Sequence, residues 1–256
     1  MLRLALLGAL VVAAVGAVAD IAPKDRRSGF EFMSPQTQAM QSDETSNPGM
    51  LWVADGERLW GESRGSAGKS CASCHDDAVD SMRGVAARYP AFDEETKRPI
   101  DLMSRIDQCR AKRQGAPSLT QQSDELLALT AYVAYQSRNM PIAPPDDPRL
   151  QPFRDNGRDW FNRRLGQLQL SCASCHDERW GARLGGSVIP QGHPTGYPLY
   201  RLEWQTVGSL QRRLRGCLVG VRAQPFDFGA PEFVDIELFL MERARGLPME
   251  TPAVRP

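Results

Sequence analysis

Histidine is scarce in this chain, three residues in 256, while cysteine occurs six times. Neither sign of charge is in excess, with 31 basic and 31 acidic side chains. A neutral chain has no overall field to attract nucleic acid or an anionic membrane, so neither is expected as a partner. Beyond residue 19 no apolar run is long enough to span a bilayer, which excludes a membrane span in the exported chain. At 41% hydrophobic, with 7% aromatic and 24% charged residues, the chain is also no disordered or fibrous sequence. Its length fits one large domain or two ordinary ones.

The N-terminus reads as an export signal. Arg3 is followed by the apolar run LALLGALVVAAVGAVA, which ends on the small residues Ala17-Val18-Ala19. That order is the anatomy of a cleaved secretory signal peptide over 1–19, and it predicts a periplasmic protein. Cleavage removes one Arg and leaves 30 basic side chains against 31 acidic. The compartment permits disulfides, so the cysteines have to be weighed as possible bridges.

Cys71-Ala72-Ser73-Cys74-His75-Asp76 recurs 101 residues later as Cys172-Ala173-Ser174-Cys175-His176-Asp177. C-x-x-C-H is the attachment signature of c-type haem: two thiols reach the vinyl groups of one porphyrin and the adjacent His supplies an axial iron ligand. A redox dithiol or half a zinc site is the alternative for one such motif, and two identical copies in an exported chain argue against it. The repeat is wider than the motif. Gly56 and Trp60 before the first copy match Gly157 and Phe161 before the second, a pattern that lets one helix cross another closely. Ser123-Asp124-Glu125 and Pro231-Glu232 open two later apolar helices, with acids in the first turn and Pro at a first helical position. Each copy reads helix, haem motif, loop-rich middle, helix. That order resembles the class I cytochrome c fold, and the fold expected is all-α, two tandem domains of this kind related by duplication. The boundaries expected are an N-terminal extended arm over 20–48, a first domain over 49–140, a proline-rich linker over 141–149 and a second domain over 150–250.

The second iron ligand has to come from the loop-rich middle. Residues 177–230 contain neither Met nor Lys, which leaves His193 and Cys217. Residues 76–122 offer Met82, Met103 and Cys109, and no His. With four thiols used by the haems, Cys109 and Cys217 remain, one ahead of each final helix and each four residues after an Arg (Arg105, Arg213). Paired placement in a duplicated domain points to axial thiolate ligation by both. A disulfide between them is the alternative, and it would leave the second haem with His193 or water and the first with a Met.

A thiolate favours ferric iron and lowers the potential, which suits catalysis better than mobile electron carriage. From Trp204 to Phe226 there is no acid, but Arg212, Arg213, Arg215 and Arg222 all lie there. A solvated helix face is the ordinary reading of such a run; beside a thiolate, an anion-binding site fits better. The second half is therefore the better catalytic candidate, with Tyr200 and Trp204 expected against the porphyrin.

RRSGFEFMSPQTQAMQ, NPGMLWVADGERLW, the two CASCH motifs and GYPLYRLEWQTVGSLQRRLRGCLVGVRAQPF together resemble the dihaem SoxA family of bacterial sulfur-oxidising (Sox) systems, over roughly residues 26–250. The resemblance implies a partner, a SoxX-like monohaem cytochrome c, and a reaction, the oxidative joining of thiosulfate to a cysteine thiol of a SoxYZ-like carrier protein (L-cysteine S-thiosulfotransferase). It implies two covalently bound haem c groups, on Cys71/Cys74 and Cys172/Cys175, with His75/Cys109 and His176/Cys217 on the irons. Cys217 and Arg213 become the catalytic residues, with a possible persulfide on Cys217, and the first haem is peripheral. The rival functions are a dihaem electron-transfer cytochrome, which predicts Met ligands, and a dihaem peroxidase, which needs an open iron and an acid–base group.

Overall fold

Gly56 and Gly157 each sit where two helices cross, and those crossings organise the fold. The computed structural model describes residues 21–256, so the expected signal peptide lies outside the described residues. In chain order the α-helices are α1 (Pro35–Ser42), α2 (Met50–Gly61), α3 (Ala72–His75), α4 (Ala78–Ser81), α5 (Leu102–Cys109), α6 (Asp124–Tyr135), α7 (Gln151–Asn162), α8 (Cys172–His176), α9 (Leu210–Gly220) and α10 (Pro231–Arg243). Helix α2 packs on α6, and α7 packs on α10. A Cβ on Gly56 would lie 2.2 Å from the Ala128 carbonyl oxygen, and one on Gly157 would lie 2.0 Å from that of Asp235. Only glycine allows backbones this close. Beyond each glycine the matching aromatic fills the interface, Trp60 against Tyr132 and Phe161 against Phe239.

The later helix of each pair starts as its sequence predicts. Ser123 caps α6 by accepting from the Leu126 amide, and Pro231 opens α10. Every residue from Leu126 to Ala134 is buried, so α6 is central and not merely amphipathic. One side of it meets α2. The other meets Tyr200, Val207 and Val254 from the second half of the chain.

The loop-rich middles hold more order than the sequence suggests. Each contains an antiparallel hairpin, β1 (Ala91–Asp93) with β2 (Arg98–Ile100) in the first half. In the second half, β3 (Arg183–Leu184) pairs with β4 (Ser187–Val188), and β5 (Leu199–Arg201) with β6 (Thr206–Gly208). The short strand β7 (Val254–Arg255) joins β5 in parallel. Residues 251–256, which the sequence left unassigned, thus return to the centre, with Thr251, Ala253 and Val254 fully buried. The fold is mostly helical with three small sheets at its seams.

The arm is less extended than expected. It forms a 3₁₀ turn, Gly29–Phe32, and then α1, whose neighbour is β7. It also crosses the second half. The buried Gln191 side chain accepts from the Arg27 amide at 2.7 Å and donates to the Asp25 carbonyl at 3.0 Å. The proline-rich segment after α6 is likewise no bare spacer: Ile142 is buried, its amide donating to the Leu247 carbonyl.

Candidate functional site

Both Cys-x-x-Cys-His motifs fold into a single helical turn closed by the same device. Ser70 and Ser73 cap each other reciprocally, backbone amide to hydroxyl at 3.1 Å in both directions. Ser171 and Ser174 repeat this at 3.2 and 3.1 Å. The turn projects the two thiols and the following imidazole from one small element.

The late cysteines sit on equivalent helices. Asp101 caps α5 and Ser209 caps α9, and Cys109 and Cys217 each lie eight residues beyond their cap. A Tyr–Pro step (Tyr89-Pro90, Tyr197-Pro198) and a hairpin precede each helix. This repeat runs at 108 residues, not 101, and was legible in the sequence but concealed by the change of offset.

Each late cysteine faces the motif of its own half. Cys109 lies by Cys71, and Cys217 by His176 and Cys172. All six cysteines are free thiols, and the Cys109–Cys217 disulfide is not formed. The two sites differ in enclosure. His75, Cys74 and Cys109 are exposed, whereas His176, Cys175 and Cys217 are half-buried.

At the second site the imidazole is oriented for metal ligation. His176 Nδ1–H donates to the Pro190 carbonyl at 2.7 Å, which leaves Nε2 as the lone-pair nitrogen. Gly192, at φ +77°, passes so close that a Cβ there would lie 3.0 Å from the ring. Asp177, next in the motif, is ion-paired with Arg243 of α10, which ties α8 to the helix pair. Cys172 belongs to an apolar cluster with Leu165, Leu218, Phe226 and Trp160. Two thiols, an imidazole with Nε2 available, a facing thiol and an apolar wall are the donor set and surroundings that a c-type haem requires.

Electrostatics separate the two neighbouring sulfurs. Burial, and then the nearby Cys217, push the Cys172 thiol up to about 12. Burial also opposes ionisation of Cys217, but the adjoining His176 side chain and the nearby Arg213 and Arg201 charges override it and bring its pKa below the ordinary thiol value. The four-arginine run does not act as one cluster. Arg212 stacks on Trp204 at 4.2 Å and Arg215 lies over Phe228 at 4.7 Å, because consecutive helical positions diverge by about 100°. Arg213 alone of the run is coupled to Cys217, and the residue that joins it is Arg201, from β5. Sequence reasoning missed both Arg201 and Tyr197, which lies half-buried beside Arg213 and Cys217.

The equivalent Arg105 is committed elsewhere, paired with Asp93 at 2.9 Å. Arg213 makes no ion pair among the described residues. Burial lowers its pKa, but Cys217 and Tyr197 more than offset this, and the guanidinium stays charged.

Tyr200 packs on Trp52 at 6.2 Å within the core between the halves, and Trp204 lies between Arg201 and Arg212. His193 is buried: Nδ1 donates to the Arg27 carbonyl at 2.8 Å, and its Nε2 has no hydrogen-bond partner among the described residues. Burial drives its pKa down to about 4, so it is a neutral imidazole.

A family model described as SoxA/TsdA, cytochrome c domain, matches residues 55–142. The L-cysteine S-thiosulfotransferase subunit SoxA of Pseudaminobacter salicylatoxidans is 39% identical over 89% of this chain and 80% of its own length. That of Rhodovulum sulfidophilum is 37% identical over 90% of this chain and 80% of its own. A chain in the crystal structure of SoxXA from P. pantotrophus superposes with a TM-score of 0.87 at 32% identity, covering 90% of this chain and 87% of that one. Agreement of this extent, in sequence and in backbone, includes both haem-motif halves, and the chain belongs to the SoxA family of L-cysteine S-thiosulfotransferase subunits.

Proposed function

We propose that the chain is the cytochrome subunit that joins thiosulfate oxidatively to a cysteine thiol of a SoxYZ-like carrier, with the reaction at Cys217. The observation that carries this reading is the pair formed by a low-pKa Cys217 thiol and an Arg213 guanidinium with no carboxylate partner. Thiosulfate is a dianion, and Arg213 with Arg201 supplies two positive charges beside the sulfur. Arg201 is partly neutralised by Glu203 at 3.0 Å, so Arg213 is the stronger anchor.

The chemistry balances in two steps. The Cys217 thiolate and thiosulfate form a sulfur–sulfur bond, giving Cys217–S–S–SO₃⁻ and two electrons. The carrier thiolate then attacks the sulfur attached to the sulfonate, takes over the –S–SO₃⁻ group and returns Cys217 as a thiolate. Arg213 binds sulfonate oxygens and stabilises the charge that develops during attack. A haem c held by Cys172 and Cys175, with His176 and Cys217 on its iron, would accept the electrons one at a time. Cys71 and Cys74 would hold a second haem c between His75 and Cys109, more open to solvent. The electrons leave to a SoxX-like monohaem cytochrome, and the family resemblance implies that Cys217 can carry an extra sulfur as a persulfide. Residues 1–19 serve as the export signal to the periplasm.

Cys217→Ser should lose carrier-dependent thiosulfate turnover while both haems stay attached through Cys71, Cys74, Cys172 and Cys175. Cys109→Met should change the spectrum of one haem and leave most of the activity. Normal turnover by Cys217→Ser, or equal losses in the two variants, would rule out the assignment.

A further inference from the structure

Where the two halves meet there is a cavity of about 60 Å³ that the proposed reaction leaves without a role. Tyr89, Asp101 and Thr130 line it from the first half, and Tyr197, Gln211 and Glu237 from the second. The tyrosines hold equivalent places. Tyr89 lies beside Arg105 and Cys109, and Tyr197 beside Arg213 and Cys217. The cavity therefore reaches the immediate neighbour of each late cysteine.

Its two carboxyl groups are not alike. Asp101 accepts from the Ser104 amide at 2.7 Å and from Gln211 Nε2 at 3.1 Å. Glu237, from α10, forms no hydrogen bond or ion pair with protein groups among the described residues. No Lys, Arg or His lines the cavity. Of the other titratable side chains of α10, Asp235 faces Arg98 and Asn156, Arg243 faces Asp177, and Glu242 faces Arg245. Burial, followed by the neighbouring Asp101, holds Glu237 well above the usual carboxylate range. The space admits water, and the Tyr and Thr hydroxyls supply the partners it needs. A neutral acid bordering a space that admits water is able to release and regain a proton as nearby charge changes.

We propose that Glu237 is a redox-linked proton site for the second half, a carboxylic acid that gives up its proton past Tyr197 when an electron leaves the Cys217 site and takes one back when an electron returns. One electron lost adds one positive charge to the site, and one proton lost from Glu237 removes it. The electron goes to the cytochrome partner and the proton to solvent. This inference rests on the reading of the Cys217 site as a haem site.

The test uses the two-subunit holoprotein. The potential of the second haem, measured by spectroelectrochemistry, should fall with rising pH in the wild type, because oxidation releases a proton. In Glu237→Gln the slope should flatten. Infrared difference spectra between oxidised and reduced wild type should show a carboxylic acid carbonyl band that Glu237→Gln lacks. An unchanged slope in Glu237→Gln would overturn the proposal. So would the absence of any such band in the wild type, a result that does not depend on the variant folding. Both outcomes are distinct from a failure of the haem-site reading, which shows independently as the wrong axial ligand in the electron paramagnetic resonance spectrum.

Discussion

Arg105 and Arg213 stand four residues before equivalent cysteines, and their surroundings assign them different work. Asp93 neutralises Arg105, while Arg213 keeps its charge beside Cys217. Removing a bidentate, partly desolvated contact of this kind costs about 2–4 kcal/mol, roughly 30- to 1000-fold in catalytic efficiency. Arg213→Ala should show that loss in carrier-dependent thiosulfate turnover with haem content unchanged, and Arg213→Lys should recover only part of it, since a point charge lacks the planar fork. A large fall in melting temperature with near-normal turnover would instead make Arg213 a structural residue. Arg213 was legible from its spacing to Cys217. Arg201 was not, because a hairpin brings it to the site from outside the arginine run.

At the scale of elements, the helix crossings were readable and the hairpins were not. The Gly56/Trp60 and Gly157/Phe161 pairs announce a close crossing because a glycine followed one turn later by an aromatic has few other uses on an amphipathic helix. Strands of two or three residues carry no comparable pattern, and they form here because residues 251–256 and the halves themselves supply the partners. Gly157→Ala tests the crossing. Alanine favours a helix over glycine by roughly 1 kcal/mol, but its Cβ would meet a backbone oxygen 2.0 Å away that cannot rotate aside. The clash should win by about 1–3 kcal/mol, seen as a melting temperature several degrees lower, whereas Gly61→Ala, with nothing within 4 Å, should be near neutral. Equal stability of the two variants would mean that the crossing relaxes freely.

Across the whole molecule, the arm and the chain end bind the halves into one body. The arm holds the loop whose Pro190 carbonyl orients His176, through Gln191 and through His193 against Arg27. The arm was legible as a segment crossing the domains, but these partners were not, since residues 20–48 lack periodicity and Gln191 and His193 are distant from Arg27 in sequence. His193 gives the arrangement a pH dependence. Its ordinary pKa of 6.5 falls to about 4 in the fold, so the folded state binds fewer protons between those values. The stability it contributes is complete above pH 6.5 and is lost as pH falls towards 4. Wild type should melt at a lower temperature at pH 5 than at pH 7.5, and His193→Gln should narrow that gap. An unchanged gap would show that His193 does not titrate on unfolding.

The central claim is that Cys217 is the thiolate ligand facing His176. Electron paramagnetic resonance of the oxidised holoprotein tests it most directly, compared between wild type and Cys217→Met. Wild type should give low-spin ferric signals of His/thiolate ligation, and the variant should lose the one belonging to the second haem while the other remains. A wild-type spectrum of His/Met or His/His type at the second haem, unchanged by Cys217→Met, would contradict the account.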